Sequence, residues 1–168
     1  FVVPLQHPGP WDRGRDGAGL SARGPALAPG SYRVRVTVDG ESTTRALSVM
    51  RDPRVRAIGV TVADLEAQES LALRVRDLAS RANRLLAAVE DAMARSSGPE
   101  LERLESLQRQ FTEREAISYP QPMVVEQISY LYGMITGAAQ RPGQDAFQRY
   151  DELVARVEAL ESRLEAGR

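Results

Sequence analysis

The sequence contains no cysteine, no lysine and a single histidine, and aromatic residues make up only 5% of it. Without cysteine, disulfide scaffolds, thiolate-bound zinc or iron–sulfur centres and thiol catalysis are excluded. Without lysine there is no amine for Schiff-base chemistry and no ammonium for a phosphate loop. The lone imidazole, His7, can neither build a multi-histidine metal site nor relay a proton to a second ring, and it lies outside any G-x-S-x-G context that would let it serve a serine nucleophile. No run approaches the roughly 18 to 20 apolar residues needed to cross a bilayer, so no membrane span is expected. The chain opens with Phe1 rather than Met and shows no charged segment followed by an apolar one, which predicts a processed product or a fragment.

What is present is a nearly balanced set of charges. All 22 basic residues are arginine, and they face 23 acidic ones for a net charge of −1. A nucleic-acid partner is not expected, because phosphate binding needs a concentrated basic face. The charge is unevenly spread: residues 1–59 hold nine arginines against five acids (+4), and residues 60–168 hold thirteen against eighteen (−5). Composition shifts at the same place, from Gly- and Pro-rich to Ala-, Leu-, Glu-, Arg- and Gln-rich. Two regimes are predicted, 1–59 and 60–168.

In the first, Tyr32, Val34, Val36 and Val38 alternate with Arg33, Arg35 and Thr37, the period of a strand over about 31–38. Asp39-Gly40 supplies a type I′ turn, and 42–50 returns as its antiparallel partner with Leu47 and Val49 inward. A further short strand is predicted at 1–5, and the Gly/Pro run from Pro8 to Pro29 reads as loop. A single hairpin cannot bury both of its faces, so either more strands complete the sheet or the helical part covers it.

In the second regime the period becomes helical. Thr61 and Asp64 resemble a capping box, and Leu71, Val75, Leu78, Ala82, Leu85, Val89 and Ala92 recur at alternating spacings of four and three over 62–95. Further helices are predicted over 100–117, 123–136 and 144–166, separated by Ser96-Ser97-Gly98-Pro99, by the two prolines of Tyr119-Pro120-Gln121-Pro122, and by Arg141-Pro142-Gly143. The fold class is therefore α+β: a short N-terminal hairpin, part of a β-sandwich, followed by an antiparallel helical bundle. An up-down-up-down arrangement of four helices is the favoured reading, with the hairpin region covering the overhang of the long first helix. The alternative places helices two and three in line to make three long rods.

The search for chemistry yields no catalytic, cofactor-binding or metal-binding residue. The carboxylates Glu66, Glu69, Glu90, Glu102, Glu105, Glu113, Glu115, Glu126, Glu158 and Glu161 fall mostly between apolar positions, without the Glu-x-x-His pattern of carboxylate metal bundles. Glu126, in the most apolar helix, is expected to pair with an arginine or to face water. Trp11, Asp12 and Asp16 sit in the kind of loop where a glycosidase site could lie, yet one Trp beside an Asp reads first as a buried anchor pinning the loop to the sheet. His7 reads as a loop hydrogen-bonding residue. Gly14, Gly17 and Gly19 lack the strand, helix and lysine of a phosphate loop. Tyr130, Tyr132, Phe147 and Tyr150 are expected to belong to the bundle core, while Leu73 and Met134 are surplus apolar residues that could mark a contact with another domain or subunit.

The order of these segments resembles a known one. FVVPLQHPGP, then GPALAPGSYRVRVTVDGES, SVMRDPRV and TVADLEAQ, and later YPQPMVVEQISYLYGMI and RPGQDAFQRYDELVARVEAL, are similar to the region that follows the propeller in bacterial sortilin-like proteins with bacterial-neuraminidase repeats. The resemblance covers nearly the whole chain. It implies that the hairpin is the end of a fibronectin-like or immunoglobulin-like sandwich, and that the chain is a non-catalytic C-terminal accessory module of a secreted or periplasmic protein, whose partner is the β-propeller of the same parent, with a homo-oligomer or another protein as further partners. Members often carry a glycosyl hydrolase label, but the sugar-handling repeats belong to the propeller, and no Ser-x-Asp-x-Gly-x-Thr-Trp box occurs in this sequence. The alternatives are a piece of a sialidase-like hydrolase whose catalytic part lies elsewhere, and a helical adaptor or oligomerisation module.

Overall fold

A computed structural model of the chain describes residues 4–13, 23–112 and 121–167. It is a mixed α+β structure with two small antiparallel two-stranded sheets and five helices. The first sheet pairs β1 (Gln6–Pro8) with β2 (Arg23–Ala26), and the second pairs β3 (Gly30–Val38) with β4 (Glu41–Val49). The helices are α1 (Pro53–Ala57), α2 (Val62–Met93), α3 (Pro99–Phe111), α4 (Val124–Thr136) and α5 (Gln144–Glu165).

The β3–β4 register runs from Gly30 opposite Val49 to Val38 opposite Glu41. At the tip, Asp39 and Gly40 both have positive φ, 51° and 85°. That is the backbone of a type I′ turn, whose twist matches the strands on either side. Two parts of the N-terminal half differ from expectation. The segment 8–29 is not all loop, because β2 forms within it. Gly24 permits the pairing: a Cβ there would lie 2.2 Å from the Pro8 carbonyl oxygen, so only glycine lets the two backbones approach. The strand expected at 1–5 begins instead at Gln6, and residues 1–3 lie outside the described residues.

The five-residue helix α1 was also not predicted, since five residues are too few to show a period. Its start has a clear cause. The Asp52 carboxylate accepts a hydrogen bond from the Arg54 amide at 2.8 Å, and Pro53 occupies the first turn, where no amide hydrogen is needed. At the head of α2 the capping box forms: the Asp64 amide donates to Thr61 Oγ1 at 3.1 Å and the Thr61 amide donates to Asp64 Oδ2 at 2.9 Å. The later helices begin and end within one or two residues of the expected bounds, except that α3 stops at Phe111, where Thr112 turns to extended backbone, and not at 117. Residues 113–117 lie outside the described residues.

Hydrogen bonds and ion pairs give the direction of each helix. From the end of α2 a short turn leads into α3, which runs back along α2. The Thr112 hydroxyl at the end of α3 then donates to Glu126 in the first turn of α4 at 2.6 Å. At the far end of α4, Gln68 near the start of α2 donates to the carbonyls of Ile135 and Ala138. Helices α3 and α4 are therefore end to end, and both are antiparallel to α2. Helix α5 returns parallel to α2, since Asp151 meets Arg74, and Glu158 meets Arg81 seven residues further along both helices. This corrects the favoured up-down-up-down order to the three-rod alternative. Lengths explain it: α2 spans about 48 Å and each thirteen-residue helix about 20 Å, so two of them in series match one of it.

The core lies among these rods. Leu71, Val75, Val89, Leu104, Phe111, Ile128, Leu153 and Val157 are at most 1% exposed, and Leu85, Ala92, Phe147, Tyr150 and Val154 pack around them. The β3–β4 hairpin takes no comparable part. None of its residues is buried, and Val36 and Val38 are 47% and 60% exposed. The cover over α2 comes from the segment that carries β1, not from this hairpin.

Two substitutions test that division. Leu153→Ala should lower unfolding stability in urea by about 2–5 kcal/mol, because a fully buried leucine leaves a cavity. Val38→Ser should change it by less than about 0.5 kcal/mol, because the side chain is already in water.

Candidate functional site

The residues that sequence reasoning marked for chemistry fall on two joints of the fold. The first is a strap, residues 7–13, laid along one face of α2. His7 Nε2 lies 2.6 Å from Glu69 Oε1, the Pro8 carbonyl accepts from Arg76 at 3.4 Å, and the Trp11 amide donates to Ser80 Oγ at 2.9 Å. The Trp11 carbonyl accepts from Asn83 Nδ2 at 2.9 Å, and Arg13 donates to the Ala87 carbonyl at 3.3 Å and to Asp91 at 2.5 Å. Positions 69, 76, 80, 83, 87 and 91 recur at helical spacing, so the strap reads one polar stripe of α2 from near its start to its end.

Ser80 shows how the strap is seated. It is the one buried polar side chain among the described residues, 9% exposed, and its hydroxyl donates to the Arg76 carbonyl while accepting from Trp11. Without the strap that oxygen would lose a partner in a poorly solvated place. Trp11 is thus an anchor, but not the buried one expected on the sheet. It remains 38% exposed, sits on α2, and has the Arg84 guanidinium 5.4 Å from its ring centre. Asp12 is half-buried in the strap. Asp16, Gly14, Gly17 and Gly19 lie outside the described residues.

The second joint is Glu126. Its Oε1 accepts from the Thr112 hydroxyl at 2.6 Å and its Oε2 accepts from the Met123 amide at 2.9 Å. Among the described residues, its partners are a hydroxyl and a backbone amide and not an arginine. The carboxylate caps the first turn of α4 and ties it to Thr112, the residue that follows α3.

The aromatic set divides. Phe147 and Tyr150 pack against the core, and Arg74 stacks 4.3 Å from the Tyr150 ring centre. Tyr132 is half-buried; its hydroxyl donates to the Arg23 carbonyl at 3.3 Å, and burial pushes it above the ordinary tyrosine range. Tyr130 is not core: it is 71% exposed, because it stands two residues, about 200° of turn, beyond buried Ile128. Met134 is 55% exposed one turn later, while Leu73 is half-buried.

Among the described residues, no three His, Asp or Glu side chains are grouped to hold a metal ion, and no helix is long and apolar enough to cross a membrane. What these side chains do is fasten segments together. The polar stripe of α2 was the missed signal. Read alone, it looks like a solvated face, and only a partner segment distant in sequence reveals its use.

Two outcomes follow. If Glu126 acts as a hydrogen-bond acceptor, Glu126→Ala should lower stability by about 1–3 kcal/mol. Glu126→Gln should then lie close to the parent in thermal melts, because an amide can accept from Met123 and donate to Thr112. The strap should be sensitive to acid. The hydrogen bond from Arg13, helped by its charge, holds the Asp91 carboxyl below the usual carboxylate range. The stabilisation is therefore complete above the unfolded value of about 3.9 and is lost as pH falls through the lower folded value. Emission of Trp11, the only tryptophan, should shift to the red in that range before the helical circular dichroism signal is lost. Asp91→Asn should shift it at neutral pH; a single shared transition would count against a separately releasable strap.

Compared with known proteins, the chain matches no family model, no curated protein and no solved structure.

Proposed function

We propose that this chain is a non-catalytic accessory module that docks, through the β3–β4 hairpin, onto a β-rich domain. The partner is the propeller of a secreted or periplasmic sortilin-like parent, as the sequence resemblance implies. The observation that carries this reading is the uncovered apolar face of the hairpin. Tyr32, Val34, Val36 and Val38 share one side with Leu47 and Val49, and the same register sets Arg45, Thr43 and Glu41 beside the three valines, so the apolar stripe runs along β3. Exposure along β3 rises from its root, where Tyr32 and Val34 are half-buried, to its tip, where Val36 and Val38 are open.

A two-stranded hairpin with no cover is at best marginally stable in water, and its outer edges offer free amide and carbonyl groups to a further strand. A stripe of Tyr32 and three valines along a nine-residue strand is the kind of surface that a facing sheet covers. Missing strands of an immunoglobulin-like sandwich, or the rim of a propeller, would supply that cover. The helical rods, whose core is closed without the hairpin, would then act as a rigid handle that holds it at a set position.

Hydrogen exchange followed by mass spectrometry tests this on the full chain, alone and joined to the contiguous upstream part of its parent. Amides of residues 31–48 should exchange rapidly in the chain alone and about tenfold or more slowly in the joined form. Val36→Asp with Val38→Asp should remove that protection while leaving the rods intact. Equally rapid exchange in both forms would defeat the proposal.

A further inference from the structure

The two sides of α5 treat arginine differently. On the side facing α2, Asp151, Glu158 and Glu161 meet the guanidinium groups of Arg74 and Arg81. Elsewhere too the chain pairs arginine with carboxylate: Arg13 with Asp91, Arg54 with Asp52, Arg103 with Glu100, Arg141 with Asp64. On the side facing α3 and α4 the pattern changes. Arg156 donates to Gln127 Oε1 at 2.5 Å, Arg149 donates to the same oxygen at 2.8 Å, and Arg163 donates to Gln110 Oε1 at 2.6 Å. Among the described residues, Arg149 alone of the three also has a carboxylate, Glu152 at 2.6 Å. Two cations converge on one neutral oxygen, and a third rests on another.

These three arginines are seven residues apart, so they form a straight row at intervals of about 10.5 Å. Arg156 and Arg163 line a recess of about 220 Å³ floored by Val124 and Leu160. Beyond Arg149 the row opens into an apolar groove of about 820 Å³ between α4 and the start of α5, where exposed Tyr130 and Met134 stand over Leu131 and Ile135. Two carboxylates border that groove. Glu126 is engaged by Thr112 and Met123, and Asp145 lies in the first turn of α5, one helical turn before Arg149 at the start of the row.

We propose that this face binds an acidic amphipathic helix of a protein partner, with carboxylates at heptad spacing on the arginine row and an apolar side chain in the groove beside Tyr130 and Met134. The spacing selects a helix, because one residue in seven on a helix repeats at the same 10.5 Å interval. The charge selects an acid: a carboxylate between Arg149 and Arg156 brings a full opposite charge and two acceptor oxygens, where the Gln127 amide it displaces offers one neutral oxygen. The proposal does not depend on the hairpin reading, since the row and the hairpin are separate surfaces.

The probe is a fluorescein-labelled helical peptide of about 20 residues with three heptad-spaced glutamates and leucines on the adjoining positions. Its glutamine counterpart is the control. Anisotropy titration with the full chain should give saturable binding that weakens with salt, about tenfold or more weaker for the glutamine peptide and for the Arg156→Gln, Arg163→Gln double variant. Circular dichroism of that variant confirms the fold. Arg33→Gln with Arg35→Gln, on the hairpin, should leave binding unchanged, and Tyr130→Ser should weaken it. Absence of binding, equal binding of both peptides, an equal loss on removing the hairpin arginines, or full displacement by millimolar inorganic phosphate would overturn the proposal. So would a salt-sensitive dimer of the chain alone that the double variant abolishes, which would assign the row to a second copy.

Discussion

The structure depends on the burial of one long apolar seam. Helix α2 is the rod on which the bundle assembles: α3 and α4 pack on it in series, α5 lies beside it, and the β1 strap is laid along its polar stripe. Its seam residues Leu71, Val75 and Val89 are fully enclosed. A helix of this length cannot be stabilised by propensity alone, and most of what keeps it helical is the apolar surface that its neighbours remove from water. Because no single partner helix is long enough to cover it, two must be joined end to end. The Thr112–Glu126–Met123 linkage is the polar consequence, a capping carboxylate shared between the end of α3 and the start of α4.

That requirement also explains where the sequence was legible and where it was not. The spacing of Leu71, Val75, Leu78 and Ala82 carries its own geometry, so the helix it encodes could be read directly. The Asp39-Gly40 turn was equally plain, because few residue pairs accept two positive φ angles in succession. Strand β2 was hidden, since Arg-Gly-Pro-Ala has no alternation and exists as a strand only through its pairing with residues 6–8. The end-to-end order of α3 and α4 was hidden for a different reason. Local periodicity says that a helix has an apolar face, but not which end of another helix that face meets. Arg74–Asp151 and Arg81–Glu158 show the parallel course of α5, and such pairs become visible only when the rods are placed together.

The candidate chemistry resolves in the same physical terms. His7, Trp11 and Glu126 were the side chains most open to a functional reading from sequence, and all three lie at contacts between separate elements of the chain. Polar groups concentrate there because a joint between two pieces of backbone leaves donors and acceptors that no helix or sheet satisfies. A residue such as Ser80, with one bond back to its own helix and one to the strap, meets that need completely. The same pressure that brings catalytic groups into clefts brings structural ones into joints, and the difference lies in whether their partners come from the chain.

By that criterion, the surfaces that remain incomplete are those whose interactions the chain only partly supplies. The strap contacts are closed, and the core is closed. The outer half of the β3–β4 face and the arginine row of α5 are not: one exposes valines to water, and the other sets guanidinium groups against neutral amides although carboxylates are abundant elsewhere in the sequence. Neither feature contributes what it could to the stability of the isolated chain. Both are held in place by rods whose cohesion does not depend on them, which is the condition under which a surface can serve another molecule without weakening the fold that presents it.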